Sequence, residues 1–153
     1  MIHIAATETI EKPVEQVFAY LMDRENTPKW QSGVVTSKLV TPGPLRKGSK
    51  FDEVVKVGLW RLASTCEITD VEGSRRIAFR ITGPVECTGE FVLERHELGT
   101  KLAMSGTIAL KGLWRLLEAV MAAETKRETA GELRRLKSQL EAPVTAQPSN
   151  ATA

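Results

Sequence analysis

Few side chains in this chain are of the kind that do covalent or metal chemistry. Cys66, Cys87, His3 and His96 are scattered, with none of the close-spaced pairs that hold zinc, so no metal site is expected. Cys87 and His96 have opposite parity and face opposite ways in a regular strand, which disfavours a Cys–His nucleophile. No glycine-rich phosphate loop occurs: Gly43-Pro44 and Gly83-Pro84 read as turns, and no cofactor is expected. One carboxylate stands out. Glu53 falls in phase with Phe51 and Val55, on what alternation makes the inner face of a strand. It either points into a wet cavity, pairs with a base, reaches solvent at a strand edge, or is displaced by an irregular strand. As a polar anchor or general base its pKa would be raised by desolvation. Arg95, in phase with Leu93, is the basic partner that parity offers at a cavity rim.

The elements that must position these residues follow from periodicity and turn chemistry. Ile2, Ile4, Ala6 and Ile10 share one phase and predict a first strand. Pro13 suits a first helical turn, and Val14, Val17, Phe18, Leu21 and Met22 recur at helical spacing to about Asp23. After Asn26-Thr27, Pro28 opens a second short helix carrying Trp30. Strands are then expected at about 34–40, 49–57, 60–70, 75–82, 85–96 and 101–110, separated by turns containing Gly43, Gly48, Gly58, Gly73, Gly83 and Gly99. Connections this short leave no room for parallel crossovers, so the sheet is antiparallel. Cys66 and Cys87 then lie two strand spacings apart, about 9–10 Å, too far for a disulfide.

The last segment is a helix over 113–141. Leu113, Leu116, Leu117, Val120, Met121, Ala130, Leu133, Leu136 and Leu140 form its stripe, which Glu124, Thr125 and Gly131 interrupt, predicting a bend near the middle. Residues 142–153 are Ala, Pro, Val, Thr, Gln, Ser and Asn and are expected to be a disordered tail. An antiparallel sheet must cover one face, and only this helix is long enough to do so. The expectation is α+β: a curved antiparallel sheet of about seven strands wrapped around a long C-terminal helix, with two short helices after the first strand. Such a grip closes at one end and gapes at the other, where an apolar cavity forms. Gly89 and Gly106 interrupt the apolar phases and are expected to admit a bulge.

Residues expected to line that cavity are Phe51, Val55, Cys66, Phe79, Cys87, Phe91 and Met104 from the strands, and Leu117 and Met121 from the helix. Tyr20, Trp30 and Trp114 offer an apolar body with a polar edge, suited to a ligand mouth.

Composition bounds the function. The 153 residues carry 21 Lys and Arg against 19 Asp and Glu, a formal charge of +2. The densest basic stretch, 126–137, also holds Glu128 and Glu132 and reads as a solvated helix face, so nucleic acid is not an expected partner. No run reaches the roughly 18 apolar residues of a membrane span. Met1-Ile2-His3-Ile4 lacks the basic start of a secretion signal, and a cytoplasmic location is expected.

Several stretches also resemble a known superfamily. The run Thr9-Ile10-Glu11-Lys12-Pro13-Val14-Glu15-Gln16-Val17-Phe18-Ala19-Tyr20-Leu21-Met22-Asp23, followed by Asn26, Pro28 and Trp30, is similar to the opening of the START-like (SRPBCC) superfamily, near its polyketide cyclase/dehydrase-like branch. Gly48-Ser49-Lys50-Phe51, Cys66-Glu67-Ile68-Thr69-Asp70-Val71-Glu72, Arg76-Ile77-Ala78-Phe79 and Gly99-Thr100-Lys101-Leu102 fit in order. The resemblance implies one ligand-binding domain over 1–141 with the helix-grip fold. It implies binding of a small hydrophobic molecule (lipid, aromatic or polyketide-like) between sheet and helix, by a monomer or homodimer. The alternatives are a cyclase or dehydratase-like enzyme that positions substrate and uses Glu53 as acid or base, and a protein-interaction module with an exposed apolar patch near Trp60. Fold analogy does not choose among them.

Overall fold

A computed structural model describes residues 1–142. Seven strands form one antiparallel sheet: β1 (Ile2–Ile10), β2 (Val34–Leu39), β3 (Lys50–Val57), β4 (Trp60–Glu72), β5 (Arg76–Thr82), β6 (Val85–His96) and β7 (Gly99–Leu110). Their spatial order is β1-β7-β6-β5-β4-β3-β2. After β1 come α1 (Val14–Met22) and a short 3-10 segment (Arg24–Lys29); after β7 come a second 3-10 segment (Gly112–Leu117) and α2 (Glu118–Glu141). The curved sheet wraps around α2, so the α+β helix-grip architecture expected from the order of elements is the one the chain adopts. The expected tail lies, Ala142 apart, outside the described residues.

The main core sits between the concave sheet face, α1 and the C-terminal half of α2. Phe51, Cys66, Ile68, Phe91, Leu93 and Leu102 from the strands meet Val17 and Leu21 of α1 and Leu133, Leu136 and Leu140 of α2. Thr129 completes the buried stripe at helical spacing, and its hydroxyl donates to the Thr125 carbonyl at 2.7 Å. A smaller cluster of Val55, Val57, Val85 and Leu110 lies at the other end, with Trp114, Leu117 and Met121 packed against it.

Four expectations need correction. The second short helix begins at Arg24 rather than Pro28, and Asp23 starts it by accepting a hydrogen bond from the Glu25 N–H; Trp30 follows its end. The C-terminal helix does not run as one object from 113. A 3-10 segment precedes it, and Leu113, Leu116 and Val120 are 85%, 81% and 70% exposed, so these three face out while Leu117 and Met121 pack inward. Ala130 is exposed as well, and Thr129 takes the inward position. Gly89 and Gly106 bring no bulge: they pair directly in an unbroken register, and the register shifts fall at Val34/Thr36 and Ile68/Asp70.

Candidate functional site

Between the N-terminal half of α2 and the sheet lies a cavity of about 330 Å³. Its floor is apolar. Val55 and Val57 come from β3, Phe79 and Ile81 from β5, Cys87 from β6, Met104 and Ile108 from β7, and Met121 closes it from the helix. The paired Gly89 and Gly106 also line it. A Cβ on Gly89 would stand 2.7 Å from Phe79 Cζ, and one on Gly106 would stand 2.5 Å from the Thr88 carbonyl oxygen. The glycines thus permit close approach of the strands where a larger residue would force them apart.

The polar side of the cavity belongs to α2 and the segment before β2. Glu124, Thr125, Glu128, Thr129 and Glu132 line it from the helix, and Gln31 and Ser32 face them. The Ser32 hydroxyl lies 2.9 Å from Glu128 Oε2 and 3.3 Å from Glu132 Oε1 and donates to this pair, and the Ser32 N–H donates to the same Glu132 oxygen. Burial pushes the Glu132 carboxyl above the usual carboxylate range, against the hydrogen bonds from Ser32 that favour its charge. Glu128 and Glu132, expected on a solvated face, therefore stand at the cavity mouth. The interruption of the apolar stripe marks the place where the helix leaves the solid core, not a break: α2 is continuous from Glu118 to Glu141.

Of the residues expected to line a cavity, Val55, Phe79, Cys87, Met104 and Met121 do so. Trp30, Phe51, Cys66 and Phe91 are instead packed in the main core, with Tyr20 partly buried against it. Trp114 and Leu117 pack on the smaller cluster, Trp114 edge-on to Trp60 with ring centroids 5.4 Å apart. The Tyr20 hydroxyl is buried without a partner among the described residues, and burial, then Asp23, raises its pKa.

Glu53 does face inward, and it neither reaches solvent at a strand edge nor lines the cavity. Its carboxylate is clamped by Arg24, whose Nε donates to Oε2 at 3.0 Å and whose Nη2 donates to Oε1 at 2.9 Å; the Ser37 hydroxyl adds a third bond to Oε2 at 2.8 Å. Both residues are almost completely buried. Burial works hardest against the Arg24 charge, but the Glu53 carboxylate and its hydrogen bonds oppose it, and the Arg24 pKa is raised. The guanidinium also lies 4.8 Å from the centroid of the Phe79 ring, one of the cavity-lining residues. Both carboxylate oxygens are engaged this way, and Glu53 is not among the residues lining the cavity. Arg95 is not the partner: it is exposed and pairs with Glu15.

The cysteines are separated by a strand, Cys66 and Cys87 both aligning with Ile81 from opposite sides. Both are free thiols. Burial pushes Cys66 up to about 12 and Cys87 up to about 11, so both stay protonated near neutrality and are poor nucleophiles. Among the described residues, no group of three or more His, Cys, Asp or Glu side chains is arranged to hold a metal ion, and no helix is long and apolar enough to cross a membrane.

Comparison with known proteins agrees with this architecture. Residues 1–141 match the family model described as polyketide cyclase / dehydrase and lipid transport. No functionally curated protein matches the sequence. Among solved structures, TTHA0849 from Thermus thermophilus is similar with a TM-score of 0.75 at 18% identity, covering 95% of this chain and 99% of that one. The Zhui aromatase/cyclase from Streptomyces sp. R1128 is similar with a TM-score of 0.71 at 18% identity, covering 91% and 93%. Ara h 8.0201 has a TM-score of 0.65 at 17% identity, covering 92% and 98%. At these identities the likeness is one of fold.

Proposed function

The chain belongs to the polyketide cyclase / dehydrase and lipid transport family, and on that premise we propose that it binds a small, largely hydrophobic molecule between the sheet and α2. The observation that carries this reading is the cavity itself. About 330 Å³ of space with a floor built from four strands falls within the range of small-molecule sites. A fold stabilised only by burial has no use for it, since packed interiors leave few voids larger than a water molecule. The reading is of a binder rather than an acid–base enzyme, because the carboxylate on the inner sheet face is committed to Arg24 and Ser37. That one structural relative is an aromatase/cyclase supports an aromatic or polyketide-like body for the ligand.

The neutral, environment-sensitive dye Nile red tests the reading. Saturable fluorescence enhancement with one dye per chain, reversed by an apolar competitor, is expected. No enhancement, together with native mass spectra free of any retained small molecule, would overturn it.

A further inference from the structure

We propose that the cavity takes an amphipathic cation, an apolar body lying on the strand floor with a protonated amine held among Glu124, Glu128 and Glu132 at the mouth. This rests on the binding reading above and narrows it to a chemical class.

The polarity of the cavity is one-sided. The three carboxylates recur every fourth residue along α2, and all three line the cavity, as do Thr125 and Thr129 between them. Like charges at this spacing destabilise a helix unless something positive lies alongside. Among the described residues, no Lys, Arg or His nitrogen lies within 4.0 Å of any of the three. Their hydrogen-bond partner is neutral: Ser32 engages Glu128 Oε2 and Glu132 Oε1, which fixes both side chains and leaves Glu128 Oε1 and Glu132 Oε2 open to a donor, while the Arg135 charge favours the Glu132 carboxylate only from beyond ion-pair distance. Lys56 also borders the mouth, but it is an exposed residue of the outward strand phase, and its backbone N–H is what engages the facing segment, at Gly33 O.

A bare metal ion fits this row badly. Carboxylates strung along one helix face do not converge on a point, and the described residues offer no metal-holding group. An ammonium suits it, because three N–H donors can be shared among separated acceptors. Beyond the row the surroundings turn apolar at once, through Met121, Val55 and Val85, so the remainder of the molecule must be hydrocarbon or aromatic. Burial of Glu132 adds to the argument, since a bound cation would relieve the cost of its charge.

Displacement of Nile red by decylammonium, decanol and decanoate, at pH 7 and low salt, separates head group from tail. Decylammonium should displace the dye at a concentration about tenfold or more below that of decanol, the worth of one charge-assisted hydrogen bond, and decanoate should be weakest. The double variant Glu124→Gln/Glu128→Gln should bring decylammonium to the level of decanol, each displacement being read as a ratio to decanol measured in the same variant. Both positions are exposed, and an unchanged melting curve verifies the fold of the variant. If the dye binds and decanol displaces it as well as decylammonium does, the cationic class is wrong and the cavity reading stands. If decylammonium keeps its advantage in the double variant, the acidic row is not its site and the proposal falls. If the dye does not bind at all, the cavity reading itself fails, and the proposal with it.

Discussion

Arg24 and Glu53 each give up their hydration when the chain folds, at an effective cost of several kcal/mol per ion. What returns that cost is geometry: two parallel N–H···O bonds from one guanidinium, a hydroxyl as second donor to Oε2, and an aromatic ring against the cation. Removing one partner leaves the other charged and stranded. Arg24→Met should therefore destabilise the protein by about 3–5 kcal/mol in urea unfolding, whereas Arg24→Met/Glu53→Leu should recover much of that loss. A double variant as unstable as the single would mean that the clamp contributes packing rather than charge pairing. The pair ties the 3-10 segment to β3, and its guanidinium lies against the ring of Phe79, which lines the cavity.

The elements divide into those whose side-chain directions follow a period and those without one. Alternation along β3 assigns Phe51, Glu53, Val55 and Val57 to one face, and all four are buried there, because a strand packed on one side has no freedom to rotate. Arg24 sits in a short 3-10 segment, too brief for any repeat to indicate where it points, and so nothing in the sequence marks it as the partner of Glu53. The acidic row is readable as a spacing. Its meaning is not, since charges every four residues also describe a solvated helix face, and only the sheet opposite decides between the two. The apolar stripe, by contrast, carries part of its answer in its spacing: at 3.6 residues per turn Leu116 and Leu136 stand on roughly opposite helix faces, and the first is exposed while the second is fully buried. Leu136→Ala should cost about 2–5 kcal/mol, and Leu116→Ala less than about 0.5 kcal/mol, both by urea denaturation. Comparable losses at the two positions would mean that the 3-10 segment is packed against something the isolated chain provides.

Across the molecule, the sheet grips α2 unevenly, and that unevenness is what makes a binding site out of a core. From Leu133 onward the helix meets buried strand residues wall to wall; before it, Glu124, Thr125, Glu128 and Thr129 front the cavity that Gly89 and Gly106 also line. An added aromatic should therefore be tolerated at one end and not at the other. Ile108 lies on the cavity wall in β7, beside Cys87 and Ile2. Ile108→Trp should abolish Nile red enhancement while lowering Tm by less than ~4 °C, the equivalent of about 1 kcal/mol for a chain of this size. Leu136→Trp puts similar bulk into the closed half, where no void receives it, and should lower Tm by several times as much through forced off-rotamer side chains. Thermal melts and dye titrations on the two variants read both quantities. Equal destabilisation would show that the space beneath the helix does not exist in solution, since a genuine hollow accepts bulk that a packed interior must expel.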